Sequence, residues 1–341
     1  MKVLQVYFNF NPSKGGVERH IDGICETINN KFKITYIYKK SDNDADKNKK
    51  YNLINYSFSN FLDHIYSSDL IHIHGARSLF NLKFLIFGKI FKKKIIYTPH
   101  CYYDGRNAIN NFIKILWDLT FEKIFYKISD YTILLNEYWF EFAQKKKFDI
   151  SKTKVIPNCV IEKNIKKINL KKKINKRKNI LSISRIDKVK RIEDVIEVIK
   201  DMENKYFFHI IGEGPELENL KKKYNQIKNL KFYGFLDDSK IKEILEITDA
   251  FILPSEKEGM PTTIIEMILL GVPVIASNIP GNISILNNLN NDLIFNVGDL
   301  KKISEILCNG NFKISEELKK SVIKNFTWEN KIIDIENLYI H

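Results

Sequence analysis

The chain has 341 residues, a formal net charge of +14 at pH 7, 44% hydrophobic and 12% aromatic residues, and only 14 Gly and 8 Pro. It is long enough for two domains, apolar enough to build cores, and too poor in Gly and Pro for a disordered or fibrous chain. Cys25, Cys101, Cys159 and Cys308 stand far apart without metal or disulfide spacing, which argues for a reducing compartment, and no window holds the roughly 18 uncharged apolar residues of a membrane span.

The opening MKVLQVYFNFNP alternates apolar residues and then meets a turn, which predicts a strand over Val3–Tyr7 and not a signal peptide. Further strands are predicted over Lys33–Tyr38, Leu70–His74, Ile95–Thr98, Tyr131–Leu135 and Lys154–Ile156. Helical patterns lie between them around residues 16–30, 59–67, 78–91, 109–128 and 137–147. In the second half the strands are Asn179–Ser184, Phe207–Ile211, Lys231–Gly234, Ala250–Pro254, Pro273–Ala276 and Leu293–Phe295. The helix after Arg191 carries Ile192, Val195, Ile196 and Ile199 on one stripe. Strands alternating with helices of about 10–15 residues mean βαβ units and parallel sheets. Two such blocks give an α/β chain of two Rossmann-like domains, whose sheets are expected to face a central cleft because open α/β sheets bind ligands at their strands' carboxyl ends.

The blocks are separated by IKKINLKKKINKRK, Ile165–Lys178, which has no apolar period and reads as a solvated basic linker. The expected division is residues 1–165 for an acceptor-binding domain, 166–178 for the linker, 179–325 for a nucleotide-sugar domain, and 326–341 for a C-terminal helix packing back on the first domain. Residues 1–178 carry a net +18 and residues 179–341 a net −4. The first half therefore suits an anionic partner, a phospholipid surface or a pyrophosphate-linked lipid, although Lys enrichment for solubility explains the same total. Nucleic acid is not expected, since no aromatic residue interleaves the basic run.

Four segments carry chemistry. Asn11-Pro-Ser-Lys-Gly15-Gly16-Val-Glu18 follows the first strand and opens a helix, where glycines admit a ligand to the backbone and free N–H groups suit phosphate. Tyr97-Thr-Pro-His100-Cys-Tyr-Tyr-Asp104 puts a histidine in a loop at a strand's carboxyl end. In Ser182-Ile-Ser-Arg185-Ile-Asp-Lys-Val-Lys190-Arg191, Arg185 and Lys190 flank a strand-to-helix turn and could neutralise a leaving diphosphate without a metal. The strongest is Pro254-Ser-Glu-Lys-Glu258-Gly259-Met260-Pro261-Thr262-Thr-Ile-Ile-Glu266. Pro261 suits a first helical residue, the amides of Gly259–Thr262 point out of the helix start, and Glu266 falls on the second turn. One carboxylate then addresses a sugar and the other a ribose, with diphosphate between.

In this order the segments resemble the retaining glycosyltransferases of family 4, of GT-B fold, belonging to the glycosyl transferases group 1. That family shows a GGxE/R loop, a strand ending in His, an R-x4-K pair, a GxGP turn and an E-x7-E motif. Here they read Gly15-Gly16-Val17-Glu18, His100, Arg185 with Lys190, Gly212-Glu-Gly-Pro215, and Glu258 with Glu266, while Val155-Ile-Pro-Asn158 and Tyr233-Gly-Phe235 are similar as well. The resemblance implies donor contacts at Gly15, Gly16, Arg185, Lys190, Phe235, Glu258, Gly259, Met260, Pro261, Thr262 and Glu266. Catalytic roles fall on His100, Glu258, Arg185 and Lys190, with no cofactor and no metal. The chain departs from the pattern at Ser184 and Arg191, where glycines are usual, at Cys101, and at Ser284.

The implied activity moves a sugar with retention from a UDP- or GDP-linked donor to a glycan or lipid-linked glycan. The setting expected from the basic first half and the Lys-tipped apolar segment at Leu79–Lys94 is cell-envelope polysaccharide or glycolipid synthesis in the cytoplasm, peripheral on the inner face of the plasma membrane. An epimerase, a phosphorylase and a non-catalytic binding partner are the alternatives. The first shows no placed catalytic carboxylates, the second needs a longer chain with a cofactor lysine, and the third is disfavoured by intact Arg185, Lys190, Glu258 and Glu266.

Three weaker patterns remain. Asp42-x-Asp44-x-Asp46 lacks the Gly and Glu of an EF-hand and reads as a solvated loop. His72-x-His74 shares a strand face without a third ligand and reads as structural. Leu79–Lys94, apolar with a basic end, could rest on an anionic membrane together with Phe112–Tyr126, or simply pack on the first sheet.

Overall fold

A computed structural model describes residues 1–10, 15–41, 49–102, 108–166, 177–287 and 292–341. Asn11–Lys14 of the first motif, the Asp42–Asp46 pattern, Tyr103–Asp104 and linker residues 167–176 lie outside the described residues. The chain divides into unit 1, Met1–Ile161 with Asn325–His341, and unit 2, Glu162–Lys324.

Unit 1 holds β1 (Lys2–Val6), β2 (Asn9–Phe10), β3 (Lys33–Tyr38), β4 (Lys40–Ser41), β5 (Asn52–Asn55), β6 (Leu70–His74), β7 (Lys94–Thr98), β8 (Tyr131–Leu134) and β9 (Thr153–Val155). Seven of these form one parallel sheet in the order β5-β3-β1-β6-β7-β8-β9, and β2 pairs with β4 apart from it. Central strands read LIHIH and KIIYT because both faces are covered, so the alternation of a one-faced strand is missing. The covering helices are α1 (Gly16–Thr27), α2 (Phe61–Ser67), α3 (Leu79–Ile90), α4 (Ala108–Trp117), α5 (Lys123–Ile128) and α6 (Glu137–Lys145). Phe80, Phe84 and Leu85 bury one face of α3, and a Cβ on Gly88 would stand 2.8 Å from Ile71, so that face is core, while Leu79, Ile86 and Ile90 of the same helix are exposed.

The helix expected over 109–128 runs on through 108–128 and contains a π-helical turn, Asp118–Glu122, between α4 and α5. Tertiary partners draw its acids inward. Arg77 donates twice to Asp118, at 2.8 and 2.7 Å. Buried Glu122 accepts from Tyr97 (2.5 Å), Tyr102 (2.8 Å) and Trp117 (3.1 Å). Local periodicity cannot announce such non-local bonds.

Unit 2 holds β10 (Lys178–Ile183), β11 (Tyr206–Ile211), β12 (Leu230–Gly234), β13 (Ala250–Leu253), β14 (Val274–Ser277) and β15 (Ile294–Phe295). They form a parallel sheet in the order β12-β11-β10-β13-β14-β15. Its helices are α7 (Glu162–Lys166), α8 (Ile192–Ile199), α9 (Leu217–Lys223), α10 (Asp238–Ile247), α11 (Thr262–Leu269), α12 (Pro280–Leu286), α13 (Leu300–Asn309) and α14 (Glu316–Phe326). Every residue of the predicted stripe on α8, Ile192, Val195, Ile196 and Ile199, is buried. The break between units falls at Ile161 instead of residue 165, because α7 packs on α11.

The last helix, α15 (Trp328–Ile340), belongs to unit 1. It packs on α1, where a Cβ at Gly23 would lie 2.1 Å from Trp328, and Glu336 accepts from the Asn29 amide at 2.8 Å. Among the described residues no helix is long and apolar enough to cross a membrane, and none of the four cysteines is in a disulfide.

Candidate active site

In each sheet the strand order reverses direction beside the first strand, between β1 and β6 in unit 1 and between β10 and β13 in unit 2. Crevices at the carboxyl ends of such strands are where open α/β sheets take ligands. Arg185, Lys190 and Glu258 lie on the loops after β10 and β13, and Gly15 and Gly16 on the segment that follows β1 and β2, whereas His100 follows β7 and Phe235 follows β12.

In unit 2 the loop after β10 carries Arg185 and Lys190, and the loop after β13 carries Glu258. A backbone bond from Glu256 N–H to Val189 O, 2.7 Å, ties the loops together. Lys190 Nζ donates to Glu258 Oε1 at 2.6 Å, and Ser255 Oγ donates to the same oxygen at 2.6 Å. Their side chains are only 19% and 8% exposed, so this is a sheltered ion pair and Lys190 is not a free surface cation. Arg185 differs. Its side chain is 63% exposed and its nearest acid is Asp187 at 3.7 Å, which leaves the guanidinium available to an incoming anion.

Pro261 is the N-cap of α11 and not its first residue, which is Thr262. The offset changes little, because Gly259, Met260 and Thr262 are buried against the loop and Glu266 sits half-buried on the second turn as expected. Phe235, 47% exposed, follows β12 at the sheet's edge and is two strands away from β10.

Sequence reasoning missed the supports of this loop. A Cβ on Gly281, at the start of α12, would stand 2.6 Å from the Glu258 carbonyl, so only glycine lets that helix close on the carboxylate's backbone. Ser277 Oγ donates to Ser255 O (2.5 Å), and Asn282 Nδ2 donates to Ser277 O (3.0 Å). The Gly212-Glu-Gly-Pro215 turn supports the cationic loop in the same way. Gly212 has φ +139, and a Cβ there would stand 1.8 Å from Ser184 O. Gly214 presses on Ile186, whose N–H donates to Glu213 O at 2.9 Å. Where the family usually has glycine, Arg191 adopts the left-handed conformation (φ +49) that glycine favours, held by a bidentate pair with Asp194 (2.7 and 3.1 Å).

In unit 1, Gly15 caps α1 and Gly16 is its first residue. Glu18 folds back on Gly15, but a Cβ on Gly16 would meet nothing within 4 Å. Among the described residues internal packing therefore does not explain Gly16, and the helix start is open there. His100 follows β7 with φ +66, an uncommon conformation for a non-glycine residue that concentrates at functional sites.

His100 is embedded in an imidazole cluster. Its Nε2 lies 3.1 Å from His74 Nδ1, and its ring meets His20 edge-on at 4.8 Å. The His20 Nδ1 pairs with Asn158 Oδ1 at 2.9 Å, and its buried Nε2 has no partner among the described residues. Burial pushes His20 down to about 4, and burial followed by neighbouring imidazoles holds His74 and His100 well below the usual range. Ring nitrogens of His20, His74 and His100 lie within 4.8 Å of one another, close enough to be weighed as metal ligands. His72, expected as structural, is buried between Tyr339 and Thr98.

Comparison with known proteins bears on the fold and the family likeness. Residues 162–320 match the family model of the glycosyl transferases group 1. An O-antigen biosynthesis glycosyltransferase, WclY of Escherichia coli, is 30% identical over 236 residues, 65% of this chain and 64% of that protein. UDP-Gal:alpha-D-GlcNAc-diphosphoundecaprenol alpha-1,3-galactosyltransferase of E. coli is 31% identical over 142 residues, 39% of this chain and 36% of that protein. The matched stretches thus span less than two thirds of either relative. Anabaena HepE, solved with UDP and glucose, superposes with a TM-score of 0.79 over 100% of this chain and 99% of its own at 15% identity, a likeness of fold. Residues 162–320, just under half of the chain, are thus similar to the glycosyl transferases group 1, and the two Rossmann-like units have the GT-B fold.

Proposed function

We propose that the chain transfers a sugar from a UDP- or GDP-linked donor to a hydroxyl of a glycan or lipid-linked glycan, with retention at the anomeric carbon and no need for a divalent metal. The process served is cell-envelope polysaccharide synthesis. The observation that carries the reading is the Lys190–Glu258 pair at the unit 2 switch point, beside exposed Arg185 and the start of α11. As the bond from the anomeric carbon to the phosphate oxygen breaks, negative charge grows on the diphosphate. Arg185, Lys190 and the amides at the helix start are the groups to meet it. Glu258 and Glu266, separated by that helix start, are assigned to sugar and ribose hydroxyls. Retention is supported by the order of the motifs, and O-antigen synthesis by the name of the WclY relative. The test is nucleotide release from UDP- and GDP-sugars in EDTA with candidate acceptors. Release that requires added Mg²⁺ would contradict the metal-independent part.

A lipid-linked acceptor is supported by the outer face of α4 through α5. Ile109 (71%), Phe112 (60%), Ile113, Ile115, Leu116, Leu119 and Ile124 are exposed there, and Lys114, Lys123 and Lys127 share these helices. No residue of α4 is buried, so core packing does not account for its apolar side chains. The face is assigned to an anionic membrane surface. Flotation with anionic liposomes at low salt should recover the chain, and Phe112→Asp should release it. Equal flotation of both proteins, or none, would count against the assignment.

A further inference from the structure

All four imidazoles of the unit 1 cluster are fully buried and, among the described residues, none of their hydrogen bonds goes to a carboxylate. Burial is the largest influence on each and disfavours the charged form, so each is neutral near pH 7 with one N–H and one bare nitrogen. A bond that decides the state of one ring nitrogen therefore decides the other.

The bonds decide in sequence. Gln5 Nε2 donates to the Tyr339 hydroxyl at 2.8 Å, so Gln5 Oε1, 2.7 Å from His74 Nε2, must accept from it. That leaves His74 Nδ1 bare, to accept the Nε2–H of His100 at 3.1 Å. With its lone pairs facing Gln5, the Tyr339 hydroxyl gives its proton to His72 Nδ1 at 2.9 Å. His72 Nε2–H then donates to Thr98 Oγ1 at 2.8 Å. Every link runs one way, from His100 through His74, Gln5, Tyr339 and His72 to Thr98. Thr98 lies two residues before His100, so the chain closes on the strand that delivers it.

We propose that this one-way chain locks His100 as the Nε2–H tautomer and presents its Nδ1 as a hydrogen-bond acceptor, making His74, Gln5 and Tyr339 positioning residues for His100. No described residue partners that Nδ1, and the φ of +66 fixes where the ring is held. An acceptor nitrogen suits a sugar hydroxyl as donor. Turning the Gln5 amide over would reverse every link and leave His100 donating instead. A metal ion on His20, His74 and His100 would take one ring nitrogen of each and compete with this pattern. The consequence for turnover rests on the transferase reading; the tautomer does not.

The experiment is a two-bond ¹H–¹⁵N correlation spectrum of the full chain labelled in its imidazole nitrogens, with His100 assigned by His100→Gln, repeated on Gln5→Leu and Tyr339→Phe. The wild type should show hydrogen on Nε2 and a bare Nδ1 at both His74 and His100. Both variants should show mixed tautomers at His100. With the best donor, their kcat should fall about three- to tenfold at little changed KM, the worth of one buried hydrogen bond. Tyr339→Phe removes only an oxygen and serves if Gln5→Leu fails to fold. Hydrogen on His100 Nδ1, a tautomer indifferent to both variants, or stoichiometric Zn²⁺ shifting the His20, His74 and His100 signals would overturn the proposal. The expected tautomers without turnover of any donor would leave the chain standing and sink the transferase reading alone.

Discussion

Substituting Gly212 by Ala asks whether the GxGP turn is what holds the cationic loop in place. A Cβ there would sit 1.8 Å from the Ser184 carbonyl oxygen and 2.9 Å from its carbon. Contacts below 3.0 Å are essentially never seen at a real Cβ, so the two backbones must part by more than an ångström. The obstacle is backbone, and Ser184 is itself bonded to Ile211 O at 3.1 Å, so no side chain can swing away to relieve it. Overpacking costs about 1–3 kcal/mol, and a β-carbon at φ +139 adds about 1–3 kcal/mol, giving a loss of about 2–6 kcal/mol. Arg185 follows Ser184 directly, and a misplacement of about 1 Å can cost about a hundredfold in rate. Urea unfolding measures the first quantity and kcat/KM with the best donor the second. Stability within about 0.5 kcal/mol of wild type would refute the packing argument. Full stability loss with undiminished turnover by the folded fraction would refute the positioning argument.

The companion change Gly16→Ala should behave oppositely, since its Cβ meets nothing within 4 Å. Stability should hold to about 0.5 kcal/mol while KM for the donor rises about tenfold, and an unchanged KM would remove Gly16 from the ligand site. Arg191→Gly relieves a left-handed backbone worth about 1 kcal/mol and forfeits a partly exposed pair with Asp194 worth about as much. Near-neutral stability is expected, and a loss above about 2 kcal/mol would show that the pair dominates. Acid should weaken the fold. Burial pushes His20 and His209, the latter buried on β11, down to about 4 in the folded chain against 6.5 when free, so between these values the unfolded chain binds more protons. Their contribution is complete above about pH 6.5 and is lost as pH falls toward 4. Urea midpoints near pH 7 and about pH 5 check this, and an equal or higher midpoint in acid would contradict it.

Much of the fold was legible because its signals are local. Continuous apolar runs marked β6, β7 and β13, and the four-residue stripe marked α8. Edge strand β5, NLIN, carries no such run and escaped notice. The π turn at Asp118–Glu122 and the imidazole chain escaped for another reason. Their partners are distant in sequence, Tyr339 being 334 residues from Gln5 and 267 from His72. The unit 2 site was legible because its chemistry is compressed between Arg185 and Glu266, whereas the supports at Ser277, Gly281 and Asn282 declare themselves only through packing.

The most direct test of the central claim is a donor screen. Purified chain is incubated in EDTA with UDP-, GDP- and ADP-sugars and candidate acceptors, alongside Glu258→Ala, reading nucleoside diphosphate release and thermal stabilisation. The account predicts release from one UDP- or GDP-sugar by the wild type and loss of that turnover in the variant with its fold retained. Turnover undiminished in Glu258→Ala, or no release and no stabilisation by any donor from a folded wild type, would contradict it.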